Sequence, residues 1–189
     1  MSVLVTGGLG YVGSHTVKEL VDRGEHVICL DDLSFGHKEA SSGSDIVIGS
    51  IGDAELLDNI FSSHKIDAVL HFAAFADVGE SVADPQKYYI NNITNSLIML
   101  DAMKRANVKL MIFSSSAATF GEPEILPIPE DHPKNPTNPY GRSKLMLEEI
   151  LDEYDHAYQH APPFILDDLA HALDGALRQR TILPPLQSL

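Results

Sequence analysis

Ser2-Val3-Leu4-Val5-Thr6-Gly7-Gly8-Leu9-Gly10-Tyr11-Val12-Gly13-Ser14-His15-Thr16 passes from a short apolar run, through closely spaced glycines, into a helical pattern. Ser2 to Thr6 is apolar and rich in β-branched residues without alternation, as in a strand buried on both faces. Gly7, Gly10 and Gly13 recur at every third position between this strand and a helix over Tyr11 to Arg23. Glycine in that place permits a tight turn, close approach of backbone to a pyrophosphate, and close packing of helix on strand. The free N–H groups of the helix start then face the phosphate. His26 to Leu30 reads as a second strand, and Asp31 follows it, 18 residues after Gly13. A carboxylate there accepts hydrogen bonds from the adenosine ribose hydroxyls and repels a 2′-phosphate, which favours NAD over NADP.

Further strands are predicted at Asp45 to Ile48, Asp67 to Phe72 and Lys109 to Phe113. Helices are predicted from an Asp53 cap to about His64, from Asp84-Pro85 to about Asn107, and from Asn138-Pro139 to about Tyr158. Asp or Asn followed by Pro is a cap with proline at the first helical position. Strands alternating with helices imply an α/β protein with a doubly wound parallel sheet. After Pro162-Pro163, one more amphipathic helix is predicted over Phe164 to Gln179.

The chain has 189 residues, 13 Lys and Arg, 27 Asp and Glu, and a formal charge of -14. This length allows one ordinary domain. The charge argues against nucleic acid, whose phosphates need clustered Lys and Arg. The lone Cys29 cannot close an internal disulfide and reads as a small buried apolar residue, so a reducing compartment and a cytoplasmic location are expected. No signal peptide and no membrane-spanning run is visible. Acidic residues crowd Glu148 to Asp174, where eight occur without Lys or Arg.

A second constellation sits further along. Ser114-Ser115-Ser116 follows the fifth strand, at the carboxyl edge where α/β proteins bind ligands. Tyr140 and Lys144 lie four apart on one face of the next helix. A phenol titrates near ~10, and a neighbouring ammonium favours its phenolate, as a general base near neutral pH requires. Ser116 is placed to hydrogen-bond a hydroxyl undergoing oxidation.

These segments resemble the extended short-chain dehydrogenase/reductase family, most closely its UDP-glucose 4-epimerases. The resemblance rests on VTGGLGYVGSHT (Val5 to Thr16), LDDLSFGH (Leu30 to His37), HFAAFADVGESV (His71 to Val82), KYYINN (Lys87 to Asn92), FSSSAATFGEP (Phe113 to Pro123) and NPTNPYGRSKLMLEEIL (Asn135 to Leu151), and covers about residues 2–158. It implies a Rossmann-type fold with NAD at the glycine loop. The cofactor residues it implies on that loop are Gly7, Gly10, Tyr11, Val12 and Gly13. Asp31, on the ribose, with Asp32 and Ser34, follows the second strand. Ile51, Phe72, Ala73, Ala74 and Asn91 come from later loops, and Ser114 and Lys144 complete the set. It makes Ser116, Tyr140 and Lys144 the catalytic group, with Lys144 on the nicotinamide ribose. Such epimerases oxidise C4 of a nucleotide sugar, rotate the 4-keto intermediate and reduce it from the other face. In the same family, the helices at 85–106 and 139–158 form a dimeric bundle. Tyr88, Tyr89, Leu97, Leu100 and Met103, with Leu145, Met146 and Ile150, are the candidates for that seam, and a homodimer is expected.

Three positions depart from the family pattern. Gly49-Ser50-Ile51 stands where the family shows Gly-Asp-Ile, which removes a carboxylate from the adenine end. Ala76 replaces a Lys that some members place near the pyrophosphate, and Phe120 replaces a Tyr. The larger departure is length. The domain expectation is a cofactor-binding unit over 1–158, a divergent helical tail over 159–189, and a largely missing substrate domain. The Tyr-Phe-Asn segment and later strands expected after Tyr158 are absent from the pattern. Binding energy from the remote nucleotide would go with them, so negligible epimerase activity is expected.

Two other functions remain open. One is a hydrolase of small esters or amides, with Ser or Tyr activated by Lys. For this reading the tail offers candidate divalent-metal ligands, His156 and His160 with Asp152, and Asp167 and His171 with Asp174. The other is a non-catalytic remnant serving as a dimerisation module. The small-molecule substrate is not named by the sequence.

Overall fold

The computed structural model describes residues 1–158 and 164–165. Strand β1 (Ser2–Thr6) lies at the centre of a six-stranded sheet ordered β3-β2-β1-β4-β5-β6. It pairs in parallel with β2 (His26–Asp31) on one side and β4 (Ala68–His71) on the other. Strand β3 (Asp45–Ile48) extends one edge, and β5 (Leu110–Phe113) continues the other, both in parallel. The chain reverses its direction of travel across the sheet between β3 and β4. The carboxyl ends of β1 and β4 therefore diverge into a crevice, the ordinary ligand position in such sheets. The doubly wound, Rossmann-type architecture expected from the sequence is present.

The unbroken apolar strands are explained by burial on both faces. Leu4, Ile28, Val69 and Phe113 point to one face, under helices α2 (Ala54–Ser63), α5 (Asn95–Arg105) and α6 (Pro139–Tyr158). Val3, Val5, Val27 and Ile112 point to the other, under α1 (Tyr11–Asp22). The capping residues act as their side-chain chemistry requires. Asp53 accepts from Leu56 N at 3.0 Å, Asp84 from Lys87 N at 3.2 Å, and Asn138 Oδ1 from Gly141 N at 2.8 Å.

The helix expected over Pro85 to Asn107 is not continuous. It consists of α4 (Pro85–Tyr89), a π-helical turn (Ile90–Thr94) and α5. The wider turn directs Asn92 inward, where it bonds the backbone N and O of Phe75 at 2.9 and 3.0 Å and Ser143 Oγ at 3.0 Å. Such turns are frequent at functional sites. A short helix α3 (Val78–Ala83), capped by Asp77, was not anticipated from the sequence.

The tail also differs. Phe164–Ile165 is not the start of a helix but strand β6, paired in parallel with Ile112 and Phe113. The free edge of β5 exposes unpaired backbone N–H and C=O groups, and an extended segment satisfies them where a helix would not. One later strand position, expected to be missing, is thus filled. His160, and the rest of the expected tail helix with Asp167, His171 and Asp174, lie outside the described residues. Among the described residues, no helix is long and apolar enough to cross a membrane.

Of the expected dimer seam, Tyr88, Leu100 and Met103 are buried within the chain's own core. Tyr89, Leu97, Leu145, Met146 and Ile150 keep partial exposure.

Candidate functional site

The carboxyl ends of β1, β2, β3 and β4 border an open cleft. Ten of the residues expected to hold a cofactor line it: Gly7, Gly10, Asp31, Asp32, Ser34, Ile51, Phe72, Ala73, Ala74 and Asn91. Gly7 has φ of 69°, and a Cβ there would stand 2.6 Å from the Ala73 backbone nitrogen. Only glycine allows that turn and that approach of the β1 loop to the β4 loop. Gly13 is required for a different reason, since its Cβ would stand 2.2 Å from the Gly7 carbonyl oxygen.

Gly10 is different again. Its φ of -75° and ψ of 175° suit any residue. An added Cβ would approach only the Gly7 carbonyl oxygen within 4 Å, at 3.3 Å. The backbone conformation at Gly10 therefore suits a side chain, but the Gly7 carbonyl oxygen would have to yield by a few tenths of an ångström. Gly10 also starts α1 with no side-chain cap. Tyr11 and Val12 are exposed at the rim of this helix start, whose N–H groups suit an anion.

Asp31 is 7 % exposed. Its Oδ2 accepts from Leu9 N at 3.0 Å, and its Oδ1 accepts from Leu33 N at 2.9 Å. A carboxylate accepts about four hydrogen bonds, so it retains capacity for a pair of hydroxyls while two backbone groups fix its position. Leu33 is held at φ of 62°, a conformation leucine rarely adopts, beside this carboxylate. Ser50 Oγ accepts from Gly52 N at 3.0 Å, and its hydroxyl proton is available to the cleft it lines. The glycine turn, the uncapped helix start and the anchored Asp31 together fit a dinucleotide.

Two aromatic residues of the lining, Phe35 and Phe75, were not identified as site residues from the sequence. Phe35, 67 % exposed, meets Phe75 edge to face across the cleft, with ring centroids 5.9 Å apart. The only signal for them was their position in loops following β2 and β4.

Beyond the cleft the same sheet edge continues to Ser114, whose backbone N donates to His71 O at 3.1 Å. Lys144 Nζ donates to the Ser114 carbonyl at 2.8 Å and lies 4.7 Å over the Phe113 ring. Burial pushes Lys144 down from its ordinary value to about 7, with Glu148 acting in the opposite direction. Ser116 caps a short 3-10 turn through Ala118 N at 3.2 Å, which leaves its hydroxyl proton free to donate. Tyr140 occupies the first turn of α6, one turn before Lys144. These three lie outside the cleft lining, on its β5–α6 side.

His71 is a satisfied core residue. Its Nδ1 meets Thr6 Oγ1 at 2.6 Å and its Nε2 meets Ser96 Oγ at 3.1 Å. Burial lowers it to about 3. Cys29 is buried against Ser44, and burial raises its thiol to about 11. Among the described residues, no three His, Cys, Asp or Glu side chains gather to hold a metal ion. His156 and Asp152 are exposed, 3.9 Å apart, on α6.

By sequence, residues 3–167 match the family described as NAD dependent epimerase/dehydratase. The UDP-glucose 4-epimerase of Lactobacillus helveticus is 52% identical over 158 residues, which is 83% of this chain and 48% of that protein. That of Bacillus subtilis is 48% identical over 80% of this chain and 47% of its own length. The crystal structure of UDP-glucose 4-epimerase from Brucella ovis in complex with NAD superposes with a TM-score of 0.81 at 47% identity, covering 84% of this chain and 49% of that one. The Bifidobacterium longum enzyme in complex with NAD+ and UDP gives 0.80 at 41% identity, covering 84% and 50%. The chain spans about half the length of the relatives it matches.

Proposed function

The chain belongs to the NAD dependent epimerase/dehydratase family, and from that premise we propose that it binds NAD in the cleft at the carboxyl ends of β1, β2 and β4. The observation that carries this reading is Asp31, a nearly buried carboxylate at the end of β2 that two backbone N–H groups anchor in the cleft lining and that keeps capacity for a pair of hydroxyls. Tyr11, Val12 and Gly13 present the helix start to the pyrophosphate. Asp31 holds the adenosine ribose and excludes a 2′-phosphate. Asn91, with Phe72, Ala73 and Ala74, lines the far wall, and Ser114 and Lys144 border the nicotinamide end. Titration with NAD and NADP, followed by protein fluorescence or calorimetry, tests this. NAD is expected to bind at least tenfold more tightly, and equal affinity would remove the role assigned to Asp31.

Bound NAD supplies a hydride acceptor, and the Ser116, Tyr140 and Lys144 group supplies the proton chemistry beside it. Tyr140 takes the proton of a sugar hydroxyl, Ser116 donates a hydrogen bond to the same oxygen, and Lys144 holds the nicotinamide ribose. The relatives are UDP-glucose 4-epimerases of about twice this length. The 189 residues span about half of such a relative, and binding energy from a remote nucleotide is what orients the reacting carbon. The chain's turnover of UDP-galactose is therefore expected at background in a coupled UDP-glucose assay, and conversion above background would overturn that expectation.

We read residues 1–158 as the cofactor-binding unit. Self-association is proposed through the helices at 85–106 and 139–158, because Tyr89, Leu97, Leu145, Met146 and Ile150 remain partly exposed there.

A further inference from the structure

Glu148 is a carboxylate only 5 % exposed, and nothing in the proposed chemistry uses it. Buried acids are rare unless paired. This one accepts from Ser115 Oγ and from Lys134 Nζ. Ser115 lies between Ser114, whose carbonyl receives Lys144 Nζ at 2.8 Å, and Ser116. The serine loop is therefore tied to α6 at two successive residues, by Lys144 through backbone and by Glu148 through a side chain. Lys134 brings a third segment to the same carboxylate, the long loop between Phe120 and Asn138, and lies 5.9 Å over the Phe120 ring.

We propose that Glu148 is a positioning residue of the Ser–Tyr–Lys edge: its carboxylate holds the Ser114–Ser116 loop, and with it the carbonyl that receives Lys144 Nζ, against α6, where its negative charge acts on that lysine one turn away. The proposal rests on the reading of Ser116 and Lys144 as site residues. Its electrostatic half follows from the groups that face Lys144. Tyr140 precedes it and Glu148 follows it on α6, each by one turn. His71 reaches it from β4 and is neutral through burial. The serine loop offers only the Ser114 carbonyl. Glu80 and Lys87, on the helices α3 and α4 that pack on α6, pair with each other. Glu148 is thus the acid that favours the ammonium, while burial opposes it. Lys134 neutralises part of that influence.

The test follows Lys144 directly, in protein carrying 13C-labelled lysine, with its Cε signal assigned by Lys144→Arg. Titration of the cofactor-free chain reads the midpoint. Glu148→Gln is expected to lower that midpoint by about one pH unit, a tenfold loss of proton affinity. Glu148→Asp is expected to restore most of it. Lys134→Met is expected to raise it, because the full charge of Glu148 then acts on Lys144. Should Glu148→Gln fail to fold, the opposite shift in Lys134→Met decides alone. An unmoved midpoint in the variants that fold would overturn the proposal. NAD affinity measured on the same samples separates the two readings. Wild type that fails to bind NAD removes the cofactor assignment, whereas the lysine titration stands or falls without it.

Discussion

Gly10 and Gly13 stand three residues apart and answer to different masters, one to the cleft and the other to the chain. Gly13→Ala sets a Cβ 2.2 Å from the Gly7 carbonyl oxygen. Backbone cannot yield as a flexible side chain does, so a loss of about 3 kcal/mol in urea unfolding is expected. Gly10→Val meets the same oxygen at 3.3 Å, a contact that a shift of a few tenths of an ångström relieves, and a smaller loss of about 1 kcal/mol is expected. NAD affinity should nevertheless fall at least tenfold, because the new side chain occupies the cleft. Gly10→Val that binds NAD like wild type would place the dinucleotide elsewhere. The two glycines look alike in the sequence. Their difference lies in how closely each added Cβ would approach the Gly7 carbonyl oxygen, 2.2 Å from Gly13 and 3.3 Å from Gly10.

At the scale of elements, the π turn concentrates the most consequence in the fewest residues. Asn92 satisfies both backbone groups of Phe75 and reaches Ser143 on α6. Asn92→Ala leaves the half-buried backbone N–H and C=O of Phe75 without these partners, while Ser143 keeps its bond to the Tyr140 carbonyl, and a loss of about 2 kcal/mol is expected. Amide exchange at Phe75 and its neighbours should accelerate more than in β1, because the loop loses its anchor while the sheet keeps its ladder. Uniform acceleration across the sheet would show that Asn92 acts on global stability alone. The helix ends were legible because Asp53, Asp84 and Asn138 cap within three residues of themselves. The π turn was not, because the partners of Asn92 lie 17 and 51 residues away. For the same reason Phe164–Ile165 was read as helix: its amphipathic spacing is local, whereas the vacant edge of β5 that it pairs with is not.

The whole molecule carries its acid sensitivity at the centre of the sheet. His71 is held at about 3 in the folded chain, against an ordinary imidazole value near ~6.5. Its folded-state value is depressed, so the unfolded chain takes up the proton first. Stability from this group is complete above pH ~6.5 and falls as pH decreases toward about 3. His71→Gln keeps hydrogen-bonding capacity without a titrating ring. Its urea-unfolding free energy is expected to be flatter between pH 6.5 and 4, whatever its absolute value, and a slope equal to wild type would assign the sensitivity to carboxylates instead. Assembly is the other property at this scale. Light scattering at micromolar concentration should give twice the mass of the 20.6 kDa chain. Met146→Glu with Ile150→Glu should halve that value, and a monomeric wild type would remove the proposed seam.

The sequence by itself determined the parallel sheet, the glycine turn, the acidic residue after β2 and the helix caps. Each is written in the periodicity or chemistry of residues close along the chain, where backbone sterics and local hydrogen bonds act without help from the rest of the fold. Tertiary structure alone decided which charges are buried and what they meet. Glu148 opens the run of acids over Glu148 to Asp174, with nothing in the sequence to set it apart, yet it lies beneath the serine loop with Ser115 and Lys134. Phe35 and Phe75 read as unrelated loop residues, yet they face each other across the cleft. Burial and pairing depend on atoms brought together from distant parts of the chain, and that information exists only once the sheet has placed its loops at a common edge.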